Sequence, residues 1–295
     1  RLGPMLADHL GVPVDHLWFG GGGANILLCV TLSTTGPGSS VVYAHPSFLV
    51  YRLSTAVAGA ERVEVPLDGE HRHDIDAMIA AVRDDTRLLY VCNPNNPTGT
   101  HVPTSEVLRL LDAVPESVLV VVDEAYHHYV EADDYWSMVS LVDERPNLAV
   151  LQTFSKIYGL AGLRIGYLIS RPDLLDPLRK TQLPFTATNL AQVAAVAALR
   201  HTDRLAERIE TNADGRAELV QGLKARGMAT ADSQTNFVFA RLHDDPLAVT
   251  EGLLSRGVII RPTGTAWQRI TVGTPSEIAE FFDALDAVVS GVGSP

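Results

Sequence analysis

The 295-residue sequence has no run of about 18 or more apolar residues, so no membrane-spanning helix is expected. It also lacks an excess of positive charge. The formal net charge is −12, which argues against nucleic acid or an anionic membrane as a bulk partner. Cysteine is scarce: Cys29 and Cys92 stand far apart in apolar runs. They read as buried free thiols in a reducing cytoplasm, not as a disulfide frame. There is no repeat and no low-complexity tract. No Gly-Lys-Ser/Thr follows the glycine run near residue 20, so there is no P-loop, and no G-x-G-x-x-G with a ribose-binding acid. A dinucleotide-dependent dehydrogenase fails on that pattern. His127 and His128 are adjacent and lack metal-ligand spacing, so they read as surface or packing residues and no metal is expected. The sequence opens at Arg1 directly into a helical pattern. The expectation is that further residues precede it, so no targeting signal can be judged.

What is present is an ordinary globular composition, 46% hydrophobic and 20% charged, in a chain long enough for two domains. Short apolar runs at 40–43, 62–66, 88–92, 118–123, 149–153 and 164–169 read as strands, and several are apolar throughout, as strands buried on both faces are. Segments such as "DIDAMIAAVRDD" and "SEVLRLLDAV" supply helices between them. The alternation predicts an α/β domain with a mostly parallel central sheet. From about Leu190 a long helical stretch leads into "TNFVFARL", "GVIIRP" and "RITVGT", which read as a smaller α+β C-terminal domain. The expected division is 12–195 and 196–295, with residues 1–11 packing on the smaller domain.

Five features bear on chemistry. In "FGGGGANILL" a strand meets a glycine turn and then a helix. Gly22, Gly23, Ala24 and Asn25 form either a plain tight turn or an anion cup of backbone N–H groups. In "VCNPNNPTGT", prolines stiffen a loop at a strand end, which is either a well-made turn or a rigid mount for Asn96. In "VVVDEAY", a buried strand ends in Asp123, then Glu124 and Tyr126. Asp123 either caps the next turn or pairs with a buried cation such as a protonated heterocycle nitrogen. In "LQTFSKIYGLAGLRIGY", Lys156 stands among apolar residues with Thr153, Ser155 and Arg164 nearby. It either snorkels to the surface or forms a Schiff base beside an anion site. Arg269, in "WQRITVGT", enters a strand where its fork can hold a carboxylate.

Together "CNPNNPTG", "VVVDEAY" and "TFSKIYGLAGLRIGY" resemble the fold-type-I aminotransferases that use pyridoxal 5′-phosphate, and within them the histidinol-phosphate and aromatic-amino-acid group. "QTNFVF", "GVIIRP" and "RITVGT" extend the likeness into the smaller domain. The resemblance implies a PLP-dependent transferase-like large domain. It makes Lys156 the covalent anchor of the cofactor and the proton carrier, and Asp123 the partner of the pyridinium nitrogen. Tyr126 and Asn96 would bond the ring hydroxyl, and Phe48 would stack on the ring face. Gly23, Ala24, Asn25, Thr153, Ser155 and Arg164 would hold the phosphate. Arg269 would bind the substrate carboxylate, with Asn236 near the substrate and Arg261 a candidate for a distal phosphate.

Two features depart from the pattern. Neither the aromatic residue of the family's N-terminal arm nor the tyrosine lent by a dimer partner is matched here. The link "IIRPTGTAWQRI" is short, as in the aromatic branch, while Arg261 occurs in both branches. The implied enzyme is a cytoplasmic, homodimeric transaminase of amino-acid biosynthesis. It would move an amino group from an aromatic amino acid or histidinol phosphate to a 2-oxo acid, with 2-oxoglutarate expected as acceptor. The rivals are a decarboxylase of the threonine-phosphate type and a degenerate cofactor-binding regulator.

Overall fold

The computed structural model describes residues 1–292. Helix α1 (Leu2–Leu10) is closed by Gly11 at φ 69°, a left-handed position that glycine takes without strain. Strand β1 (Leu17–Gly20) passes through the glycine turn into α2 (Gly23–Thr34). Then follow β2 (Ser40–His45), α3 (Leu49–Ala58), β3 (Glu61–Pro66), α4 (Ile75–Ala80), β4 (Thr86–Cys92), α5 (Thr104–Ala113), β5 (Leu119–Asp123), β6 (Leu148–Thr153) and β7 (Gly166–Ile169). Helices α6 (Pro172–Arg179) and α7 (Asn189–Leu199) lead to the long α8 (Leu205–Ala225). The chain continues through β8 (Ala229–Thr230), β9 (Phe237–Arg241), α9 (Pro246–Leu254), β10 (Arg261–Pro262), β11 (Gln268–Thr271) and α10 (Pro275–Val292).

The larger sheet has the order β1-β7-β6-β5-β4-β2-β3. Strands β3, β2, β4, β5 and β6 are parallel, and β7 runs antiparallel to both β6 and β1. Every residue of β5 and β6 is buried, which explains their apolar runs Leu119–Val122 and Leu148–Leu151, each followed by buried polar residues at the strand end. Side chains alternate between two cores. Leu89, Val91, Val120 and Val122 go to one face, and Leu88, Tyr90, Val121 and Leu151 to the other. The smaller sheet is antiparallel, β10-β11-β9-β8, with its own core from Leu219, Val238, Ile270 and Leu285. The carboxyl ends of β4, β5 and β6 lie side by side, so Cys92, Asp123 and Thr153 reach one edge of the sheet together.

Three expectations need correction. Residues 1–11 do not pack with the smaller sheet: Leu2, Leu6 and Ala7 of α1 are buried in the larger sheet's core. Burying Leu2 and Leu6 there contributes roughly 1.5–3 kcal/mol each, enough to decide where a nine-residue helix sits. The expected limit at 195/196 falls inside α7, whose Ala191, Ala195 and Leu199 all belong to that same core. Finally, the run 164–169 becomes a strand only from Gly166, because Arg164 adopts a left-handed φ of 54°. The two-residue strand β8 was not expected, since two residues carry no periodicity to read.

Candidate active site

The glycine turn forms a cup between α2 and β7. Gly22 caps α2 at φ 87°, and its carbonyl takes the N–H of Asn25 at 3.1 Å, which leaves the Gly23 and Ala24 N–H groups of the first turn without helical partners. The Asn25 side-chain oxygen accepts from Gly21 N at 3.3 Å. The Arg164 guanidinium lies against this turn: a Cβ on Gly22 would sit 2.5 Å from Nη2. A Cβ on Gly166 would sit 2.8 Å from Gly23 N, so β7 touches the helix start directly. Thr153 is the register partner of Gly166, which brings the end of β6 to the same place. The Thr153 and Ser155 hydroxyls are 2.9 Å apart, and Ser155 N donates to Thr153 Oγ1 at 3.0 Å. A helix N-terminus, a guanidinium and two hydroxyls thus converge, a combination suited to a phosphate.

Asp123 ends β5 with 3% exposure. Its Oδ2 accepts from the Tyr51 hydroxyl at 2.8 Å and its Oδ1 from Ala125 N at 3.1 Å. Burial pushes the carboxyl above its ordinary range, opposed by these two donors and by the charge of Lys156. Ionising a carboxylate so deeply buried costs several kcal/mol unless a cation meets it. Tyr51 is fully buried, stacked on Tyr90 (centroids 4.4 Å, 13°) and edge-on to Phe48 (5.8 Å). Phe48 is a cofactor candidate from the sequence, whereas no motif marks Tyr51. The two stand three residues apart where α3 begins, so helical spacing was the available signal.

Lys156 is half-buried, with Nζ 4.8 Å from the centre of the Tyr126 ring. Burial, then the charges of Arg269 and Arg164, lower its pKa, and Asp123 opposes them. The result is an amine made easier to deprotonate, as a nucleophile or base requires. Tyr126 is buried and edge-on to Phe237 at 5.1 Å, with its phenol pushed up by burial.

The smaller sheet supplies the other wall. Arg269 Nη1 donates to Asn96 Oδ1 at 2.7 Å, and its guanidinium lies 4.9 Å over the Phe237 ring. Arg269 Nε is buried with no hydrogen-bond partner among the described residues. A guanidinium N–H left open in a buried site points to an absent acceptor. Arg261, exposed, is the register partner of Arg269 across β10 and β11. Asn236 stands just before β9 and is partly buried, its backbone oxygen accepting from Val272 N at 2.9 Å. The loop carrying Asn96 is held by Asn93, which exchanges bonds with Val102, and by Asn95, which binds Pro46 O, Thr98 and Ser47. His127 and His128 pack ring against ring at 3.8 Å, both held neutral by burial.

Residues 5–285 match the family model described as aminotransferase class I and II. The chain belongs to this family. Among its relatives, histidinol-phosphate aminotransferase 1 of Cupriavidus pinatubonensis is 45% identical over 293 residues, covering 97% of this chain and 78% of the relative. The aromatic amino acid aminotransferase of Streptomyces coelicolor is 44% identical over 277 residues, covering 94% and 77%. A similar solved structure is the histidinol-phosphate aminotransferase of Sinorhizobium meliloti in complex with pyridoxal-5′-phosphate. Its TM-score is 0.92 at 30% identity, covering 99% of this chain and 81% of that one. The sequence motifs that carried the resemblance, at Asn96, at Asp123 and Tyr126, and at Lys156, therefore sit in an aminotransferase fold.

The cup makes one outcome testable without any ligand. Gly22→Ala puts a Cβ at φ 87° and against the Arg164 guanidinium. That backbone, at φ 87° and ψ 164°, is a region essentially only glycine occupies, and it alone costs roughly 1–3 kcal/mol for an L residue. Urea unfolding of the variant should show a stability loss of at least that size, while Gly36→Ala, with open space around it, should not.

Proposed function

We propose that this aminotransferase binds pyridoxal 5′-phosphate with its phosphate in the cup of Gly22, Gly23, Ala24, Asn25, Thr153, Ser155 and Arg164. The observation that carries the reading is the fit between four separate demands and four separate features. The close approach of Arg164 to Gly22 leaves a cradle that a Cβ would fill. The buried Asp123 carboxylate requires a cation, which a protonated ring nitrogen provides. The lowered pKa of Lys156 suits a covalent anchor. The open Arg269 Nε suits a substrate carboxylate. When bound, the cofactor supplies a carbonyl that takes the amino group and a ring that accepts the electron pair left on the substrate carbon.

The protein's own residues then have distinct tasks. Asp123 would keep the ring nitrogen protonated, and Tyr51 with Ala125 N holds Asp123 in place. Tyr126 and Asn96 would bind the ring hydroxyl, and Phe48 would cover the ring. Lys156 Nζ would anchor the cofactor and would carry the proton from the substrate α-carbon. Arg269 holds the α-carboxylate, with Asn236 beside it and Arg261 available to a more distant anionic group. The amino donor is an aromatic amino acid or histidinol phosphate, the activities for which the similar relatives are named, and a 2-oxo acid such as 2-oxoglutarate takes the group onward. The decarboxylase alternative has weaker support. The L-threonine-O-3-phosphate decarboxylase of Porphyromonas gingivalis is similar at 23% identity and a TM-score of 0.83, a likeness of fold alone.

The enzyme also reads as a cytoplasmic homodimer. Cys29 and Cys92 are both free and buried, as a reducing compartment allows. No described helix is long and apolar enough to cross a membrane. Leu49, Leu53 and Val57 form an exposed stripe at four-residue spacing on α3, and Leu183, Phe185, Leu190 and Val193 are also exposed. That much bared apolar surface suits a second copy.

Cofactor-loaded protein given one amino donor and no acceptor should lose its visible cofactor band and release the matching 2-oxo product. A faster loss with phenylalanine or tyrosine assigns the aromatic branch, and a faster loss with histidinol phosphate the other. Carbon dioxide without a 2-oxo product would contradict the reading. Arg269→Ala should raise KM for carboxylate substrates roughly 30-fold or more, from the ~2 kcal/mol floor for stranding a buried charge. An unchanged KM would place the carboxylate site elsewhere. Sedimentation equilibrium should give twice the 31.8 kDa chain mass, and a single-chain mass at micromolar concentration would rule out the dimer.

A further inference from the structure

The residue after Asp123 is also a buried carboxylate, and none of the steps above uses it. Glu124 has 1% exposure and lies on the opposite face of the sheet from Asp123. Its Oε1 accepts from Met138 N at 2.7 Å, and its Oε2 accepts from Ser137 Oγ at 2.6 Å and Gln152 Nε2 at 2.9 Å. Every one of these partners donates. The direction of the Gln152 amide is fixed from behind, because its oxygen accepts from the Tyr167 hydroxyl at 3.0 Å. The Ser137 hydroxyl is likewise turned toward Glu124, since its oxygen accepts from Val139 N. The ring within ion-pair range among the described residues is His127, Nδ1 at 3.7 Å, and burial beside His128 keeps it neutral. Glu124 therefore sits in a shell of donors without a cation. Burial pushes its carboxyl up to about 7 against the pull of these donors, and a shell in which every partner donates favours the charged form.

This arrangement ties down one short turn. Glu124 N donates to Leu151 O at 2.8 Å, and His127 N donates to Glu124 O at 3.1 Å. The next residue, Ala125, supplies the N–H that holds Asp123 Oδ1, and the one after is Tyr126. The turn is thus clamped on its far side by three bonds from two other segments, and on its near side it aims the groups facing Lys156. We propose that Glu124 is a positioning residue for Asp123 and Tyr126, its ionised carboxylate locking the turn that orients both toward the cofactor ring. The role of the ring rests on the cofactor reading above; the locking of the turn does not.

The test uses Glu124→Gln and the exchanged pair Glu124→Gln with Gln152→Glu, which returns a carboxylate to the same hydrogen bond. In the protein without cofactor, hydrogen exchange of the Ala125 amide should rise roughly tenfold or more in Glu124→Gln, the scale of losing a charge-assisted bond. Amides of α5 should stay as they are, and the exchanged pair should bring Ala125 back toward wild type. Affinity for pyridoxal 5′-phosphate, read by fluorescence titration, should fall and recover in parallel. Unchanged exchange at Ala125 in Glu124→Gln would overturn the proposal. So would a uniform rise that includes α5, which would make Glu124 a general stabilising residue. If the wild-type protein takes up no pyridoxal 5′-phosphate, the cofactor reading fails, while the exchange data still decide the role of Glu124.

Discussion

A buried carboxylate at the end of a central strand governs this structure. Asp123 sits with 3% exposure where β5 leaves the sheet, and its charge is unfavourable there unless a cation arrives. The protein invests in keeping that oxygen pair in one pose: a fully buried Tyr51 from α3 on one side, the Ala125 N–H on the other. Tyr51 is in turn held flat against Tyr90 of β4. The packing of three elements is therefore subordinate to one polar atom pair. Such an arrangement makes sense for a site that binds a cationic ring and is poor design for stability alone.

The second constraint is close approach. The cup exists because β7, the end of β6 and the start of α2 meet without side chains between them, at Gly22, Gly23 and Gly166. Antiparallel β7 makes this possible. It returns beside β6, so that Arg164, at a left-handed turn just before the strand, faces the helix start. Lys156 lies on the same connection between β6 and β7, so the proposed anchor and the proposed phosphate clamp share one loop. The smaller sheet closes the site from the other side through the Arg269–Asn96 bond.

Much of this was legible in the sequence, for a physical reason. The groups around Lys156, Asp123 and Asn96 are carried by continuous stretches at strand ends, so short motifs contain both the side chain and the backbone that aims it. The core strands were legible because burial on both faces makes most of their residues apolar, with polar ones such as Asp123 and Thr153 only at the ends. Contacts that join distant segments were not. Tyr51 reaches Asp123 from 72 residues away. The place of α1 was set by which of two cores its Leu2 and Leu6 fill, and its own amphipathic pattern fits either. The shell around Glu124 draws on residues 137, 138 and 152, and no local pattern announces it.

The central claim is that Lys156 is the covalent anchor. The chain has two other lysines, Lys180 and Lys224, both exposed. The most direct test is to load the protein with pyridoxal 5′-phosphate, reduce with borohydride, digest, and locate the pyridoxyl group by mass spectrometry. The account predicts one modified peptide, carrying the group on Lys156. Modification confined to Lys180 or Lys224, or none at all, would contradict it.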